Sequence, residues 1–191
     1  MTANRIKSVA LSHFARYGYE GTSLANIAGE VGIKKPSIYA HFKGKEELYF
    51  ICLEESLQKD LEFFKQYVKN SEETPFGDFL FHLLKDYSHR FQESIEAMFW
   101  LRTSYFPPFS FREQIVEKAN AHIESIGQLL VPIFEQAQEK NELCSIEVTE
   151  AVAAYLCLMD GLMVEFLFAG IQPFENRLHA SWKVFWRGLS S

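Results

Sequence analysis

Apolar positions recur along this chain at spacings of three and four, and no stretch alternates strictly, so the pattern predicts helices throughout. The first helix runs from Ala3 to Tyr17, with Ile6, Val9, Ala10, Phe14 and Tyr17 on one face, and Gly18 ends it. In the second, Leu24, Ile27, Ala28 and Val31 share a face; Ser23 is placed to cap its start, and Gly32 supplies the turn that follows. A short third helix starts at about Lys35, with Ile38 and Phe42 pointing inward and Pro36 in the first turn, where its missing N–H costs nothing. Further helices are expected near 45–68, 75–91, 94–105, 110–139, 147–169 and 173–188, separated by breaks at Ser71 to Pro75, Pro107-Pro108, Asn141 to Ser145 and Gly170 to Pro173. The fold class is therefore all-α, with about nine helices.

The stretch from Thr22 to Leu48 carries the chemistry. Once Ile38 and Phe42 face inward, Lys34, Lys35, Ser37, Tyr39 and His41 are left on the outward side. Lys34 and Lys35 stand at one helix start and Lys45 at another. A cation there opposes the partial positive charge of a helix N-terminus by roughly 0.3 to 1 kcal/mol. Solvated surface charge explains any one of these lysines as well as a ligand does. Together they point to an external polyanion, because backbone N–H groups and lysines then attract the same phosphates.

The residues Thr22-Ser23, Ile27-Ala28, Val31-Gly32-Ile33, Tyr39-Ala40-His41-Phe42 and Lys45-Glu46-Glu47-Leu48 resemble the DNA-binding domain of the tetracycline-repressor (TetR) family. The resemblance covers roughly the first quarter of the chain. One departure is Lys34, where the family often has a small capping residue. It implies a helix-turn-helix DNA-binding domain over 1–48 and a ligand-binding and dimerising domain over 49–191. The DNA-binding set is then Thr22, Ser23, Lys34, Lys35, Pro36, Ser37, Tyr39, His41 and Lys45. Lys35, Ser37 and Tyr39 face the groove, while Thr22, Ser23, Lys34, His41 and Lys45 hold the backbone. The implied partners are a palindromic double-stranded DNA operator, a small lipophilic effector that releases the protein, and a second copy of the chain. The fourth helix, which starts in the DNA-binding unit and ends in the body, is the element that ligand binding moves in this family.

Charge supports that division. Residues 1–50 hold seven Lys/Arg against four Asp/Glu, net +3, whereas the remainder holds twelve against twenty-one, net −9. A basic head on an acidic body directs nucleic acid to one end. With 48% hydrophobic and 23% charged residues, the 191-residue chain can bury a large core. No apolar run is expected to reach the length of a membrane span, no apolar signal region opens the chain, and no membrane partner is expected. Cys52, Cys144 and Cys157 are odd in number and form no metal-ligand pattern, which leads to the expectation of a reduced cytoplasm without metal or cofactor.

Most of the 18 Phe residues and all three Trp lie beyond residue 48. A stripe of large apolar residues is more often core than pocket, but as a group these rings make an internal cavity plausible. Candidate lining positions are Tyr67, Phe79, Leu83, Tyr87, Met98, Arg102, His122, Ile126, Tyr155 and Met159. Arg102, following Met98-Phe99-Trp100-Leu101, either snorkels to solvent or meets a ligand carboxylate or phosphate. A lipophilic acid or acyl thioester is thus one effector class, and a lipophilic cation held by rings and by Asp160 or Glu165 is the other. Val152, Leu156, Met163 and Phe166 on the eighth helix, with Leu178, Trp182, Phe185 and Trp186 on the ninth, are the expected dimer interface. Catalysis has little support, because His13, His41, His82, His89, His122 and His179 are scattered and no nucleophile elbow or phosphate loop appears. An all-helical small-molecule-binding protein or enzyme using Asp160 and Glu165 is the alternative reading.

Overall fold

The computed structural model describes residues 2–69 and 74–190. Among these residues the chain is all-α, as expected. Its helices are α1 (Thr2–Tyr17), α2 (Leu24–Val31), α3 (Lys35–Ile38), α4 (Lys45–Lys69), α5 (Phe76–Glu93), α6 (Ile95–Tyr105), α7 (Arg112–Glu139), α8 (Val148–Ala169) and α9 (Ile171–Leu189). The expected break at Ser71 to Pro75 lies mostly outside the described residues. Two helix starts differ from the pattern. A 3-10 turn over Phe109–Phe111 precedes α7, which begins at Arg112. The ninth helix begins at Ile171 and not at 173, because Gly170 makes the whole connection in a conformation open only to glycine (φ 81, ψ −173), and Pro173 is accommodated in the first turn.

By packing, the chain forms two compact units, each built from two separate stretches: 1–60 with 91–118, and 61–90 with 119–191. This partition differs from the expected functional division at Leu48. Helices α4 and α7 each contribute residues to both units.

The first unit is organised around Tyr49, which is 2% exposed. Its ring lies 5.0 Å from Phe14, 5.2 Å from Tyr19 and 5.4 Å from Phe99, each edge to face, an arrangement that aromatic quadrupoles favour. Its hydroxyl meets Thr103 Oγ1 at 3.3 Å, and burial pushes its pKa up to about 12. Ile6, Ala10, Ile27 and Ile38 fill the rest of this core, whereas Tyr17, expected on the buried face of α1, is exposed.

In the second unit Phe64, Leu80, Leu83, Ile126, Phe134, Tyr155 and Phe174 are buried, and Tyr155 donates its hydroxyl to Leu80 O at 2.8 Å. Helix α8 corrects the expectation about membrane-length runs, since its 22 residues are long and apolar enough, by length and composition, to cross a membrane. Here that apolarity serves two faces. One is inward: of the expected dimer set, Val152, Met163, Phe166 and Leu178 of α9 are buried within their own unit. Leu156 packs on Gly127, Phe185 lies 6.0 Å from Tyr155, and Trp186 stacks on Trp182 at 5.5 Å and 16° while meeting Phe76 at 6.0 Å. The outward face carries Ala154, Cys157, Gly161 and Phe168 on α8, with Ala180, Val184 and Gly188 on α9. Glu165 and Arg177 join α8 to α9 by an ion pair.

The Trp186 ring occupies the space a side chain at Gly77 would need, with Cζ2 only 2.7 Å from where a Cβ would stand. Gly77→Ala gains about 1 kcal/mol of helix propensity but must displace a stacked indole at about 1 to 3 kcal/mol. The expected result is a lower melting temperature and altered tryptophan fluorescence. Gly29→Ala, with nothing within 4 Å, should instead raise the melting temperature; the reverse order of the two variants would contradict this packing.

Candidate nucleic-acid interface

The turn between α2 and α3 is set by local chemistry. Ser23 caps α2, accepting the Asn26 N–H at 3.1 Å while its own hydroxyl donates to Asn26 Oδ1 at 2.9 Å. At the other end Gly32 takes φ 80, its N–H donates to Gly29 O at 3.2 Å, and the Ile33 N–H reaches Ala28 O at 2.9 Å. This doubled closure fixes the direction in which the chain leaves α2. Helix α3 is then a single turn with Lys34 as its N-cap and Pro36 in its first turn. Ile38 is fully buried and Phe42 is 6% exposed, so this turn is anchored from beneath.

The opposite side is open. Lys34, Lys35, Pro36, Ser37, Tyr39 and His41 are all exposed, and Lys34 makes no side-chain bond to the helix it starts. Tyr39 is 52% exposed, a large ring left in water. The structure thus brings six of the nine expected DNA-binding residues onto one exposed surface, and Ser23 is exposed as the cap of the neighbouring helix. One premise weakens: a four-residue helix has little macrodipole, so its exposed cations, not the dipole, carry the argument for Lys34 and Lys35.

Two residues turn elsewhere. Thr22 is 2% exposed and donates its hydroxyl to Gly18 O at 2.8 Å, which closes the α1–α2 turn. Lys45 donates to Tyr19 O at 2.8 Å and Thr22 O at 3.0 Å, and its ammonium sits 4.0 Å above the centre of the Tyr19 ring. It is a clamp on the same turn, so stability alone accounts for a cation at the start of α4, contrary to the sequence argument. Burial raises the Tyr19 pKa, with Glu46 and Glu20 adding to the effect. A second tie, His13 Nε2 to Glu30 Oε2 at 2.8 Å, joins α1 to α2. The cation that sequence reasoning missed is Lys43, exposed on the turn between α3 and α4, where its backbone N–H donates to Glu47 Oε2. Its place immediately after the inward Phe42 was the available signal.

The expected effector residues divide between the units. Met98 and Arg102 belong to the first; Arg102 is exposed and donates to Ala15 O at 3.0 Å, so it lines no core. In the second unit Leu83, Tyr87, His122, Ile126, Tyr155 and Met159 are buried. Tyr67 and Phe79, with Thr74 and His82, border a pocket of about 240 Å³. Tyr67 donates to Asp86 Oδ2 at 2.9 Å, and burial raises its pKa, with that hydrogen bond adding to the shift.

A short exposed helix, flanked by lysines and fixed by a glycine turn on a three-helix scaffold, defines a helix-turn-helix protein. The chain matches the profile of the tetR family of bacterial regulatory proteins over residues 6–50. It is 32% identical over 89 residues to IcaR, the negative transcriptional regulator of the biofilm operon icaADBC in Staphylococcus epidermidis. That match covers 46% of this chain and 48% of the relative, so the chain spans about half the length of this curated protein. A TetR transcriptional regulator from Chloroflexus aurantiacus shares the fold, with a TM-score of 0.80 at 18% identity over 99% of this chain and 96% of that one. So does the transcriptional regulator FadR from Bacillus subtilis, solved in complex with stearoyl-CoA, at a TM-score of 0.71 and 16% identity over 97% of this chain and 98% of that one.

Lys45→Ala removes two charge-assisted hydrogen bonds and a cation–π contact, and should cost about 1 to 3 kcal/mol. Thermal melting should therefore fall for Lys45→Ala and stay within about 0.5 kcal/mol of wild type for exposed Lys34→Ala. Equal melting of the two variants would remove the clamp.

Proposed function

We propose that this protein is a sequence-specific, DNA-binding transcriptional regulator that acts as a dimeric repressor and is released by a small lipophilic effector. The observation that carries the reading is the exposed surface of α3, where Lys35, Ser37 and Tyr39 project from a turn whose other side is buried. Lys35 and Ser37 supply hydrogen-bonding groups for base edges, and Tyr39 an apolar face for a thymine methyl. Lys34, Ser23, His41 and Lys43 flank that surface and suit phosphate contacts. Repression follows the curated relative, which is a negative regulator.

The two-fold partner is a second copy of the chain, joined through the outward faces of α8 and α9. The small exposed residues there, Ala154, Cys157 and Gly161 on one helix and Ala180 and Gly188 on the other, allow close helix packing, and Phe168 and Val184 supply apolar area. Two reading heads related by two-fold symmetry call for a palindromic operator. The effector site is the aromatic interior of the second unit, entered at the Tyr67, Phe79 and His82 pocket. The acyl ligand of the FadR neighbour favours a lipophilic acyl compound over a lipophilic cation. Helix α4, with residues in both units, is the element through which occupancy reaches the reading head. Such a regulator works in the cytoplasm.

Selection of bound duplexes from random DNA tests the reading, and one enriched palindrome is the expected result. With Lys34, Lys35 and Lys43 each neutralising a phosphate, a dimer gives a slope of log K against log salt near about −5. Lys43→Ala should flatten it by roughly 2, whereas Tyr39→Ala should change sequence preference with little change of slope. A slope near zero in the wild type would overturn the phosphate assignment. Val184→Glu places a charge on a side chain 74% exposed in the subunit, so folding should persist while light scattering shows a monomer with weakened operator binding. A Val184→Glu protein that stayed dimeric would move the interface elsewhere.

A further inference from the structure

Arg102 does not join the effector core, and the place it does occupy is a cleft of about 210 Å³ within the first unit. The floor is Phe14 and Tyr49, each 2% exposed, and Tyr19 forms a wall. At the mouth stand two rings left largely in water, Tyr17 at 59% and Phe106 at 56% exposure. The DNA surface proposed above accounts for exposed Tyr39, and the α8–α9 face for Phe168 and Val184, while Tyr17 keeps His13 as a ring neighbour at 5.6 Å. One N–H of Arg102 is engaged by Ala15 O at 3.0 Å. A guanidinium has five, arranged in a fork that matches a carboxylate.

An arginine fork beside several aromatic faces selects a flat, apolar body bearing one acid group. The carboxylate meets the guanidinium in a charge-assisted pair, and the body stacks between the mouth rings and the Tyr19 wall. Arg16 and Glu20 also border the cleft, so its ionic groups, two arginines and one glutamate, leave a single net positive charge that matches a monoanion better than a dianion. The volume suits a compact mono- or bicyclic compound. We infer that this cleft is a binding site for small aromatic monocarboxylates, held by Arg102 and by the Tyr17 and Phe106 rings. It lies in the DNA-reading unit itself and is distinct from the effector site proposed for the second unit. An occupant touches Tyr19, whose ring lies beneath the Lys45 ammonium and whose carbonyl accepts from it, so it bears on the turn that introduces α2.

Calorimetric titration of the full chain with 2-naphthoate, without DNA, tests this independently of the regulatory reading. Saturable binding of one molecule per chain is expected below about 1 mM. Neutral 2-naphthamide, and 2-naphthoate with Arg102→Gln, should each bind about tenfold more weakly or worse. Phe106→Ala should weaken binding about threefold and decides the matter if Arg102→Gln proves unstable. His82→Ala, in the second unit's pocket, should leave affinity unchanged. No saturation in this range, unchanged affinity in Arg102→Gln and Phe106→Ala, or loss in His82→Ala alone would overturn the assignment.

Discussion

A helix of one turn cannot hold itself in water, because nucleation costs more backbone entropy than four residues return in hydrogen bonds. Helix α3 is such a turn, and its position depends on what surrounds it. Ile38 and Phe42 anchor it from below, the Gly32 closure aims it, and the Lys45 clamp fixes the preceding turn from which α2 starts. The exposed side of α3 is therefore free to carry residues that do nothing for stability. Lysines, a proline, a serine and a tyrosine can stand there only because the scaffold carries the energetic cost.

The fold was legible because helix periodicity and the capping residues agree at each level: Ser23 caps, Gly32 turns, and Leu24, Ile27, Ala28 and Val31 are buried as their spacing requires. Sequence gave helix ends less well where one residue has two uses. Pro173 reads as a breaker and is a first-turn residue, and only the conformation of Gly170 separates the two. The exposed face of α3 was legible because one buried residue and one buried neighbour leave a single outward side.

Directions of long side chains were not legible. Lys45 and Lys34 look alike in sequence, yet the carbonyls that hold Lys45 lie more than twenty residues earlier, in a turn whose closure depends on Thr22. Arg102 likewise finds its acceptor on α1, far away in sequence. On α8 the sequence shows apolar residues nearly all round, which cannot say which face a neighbour in the same subunit covers. Most of the larger residues of α8 turn inward, while Ala154, Cys157 and Gly161 face outward together with one large ring, Phe168.

The interleaving of the two units bears on the order in which this protein can be made. The first unit needs residues 91–118, because Phe99 of α6 completes the ring cluster around Tyr49, and the second needs the stretch from 119 onward to cover α5. During synthesis, then, the N-terminal helices emerge with the aromatic core uncovered and stay so until roughly a further sixty residues have followed. Closing such long loops is slow compared with forming the α8–α9 hairpin, whose link is a single glycine. A fragment cut at the edge of the DNA-binding motif would carry the recognition turn and lack part of its foundation.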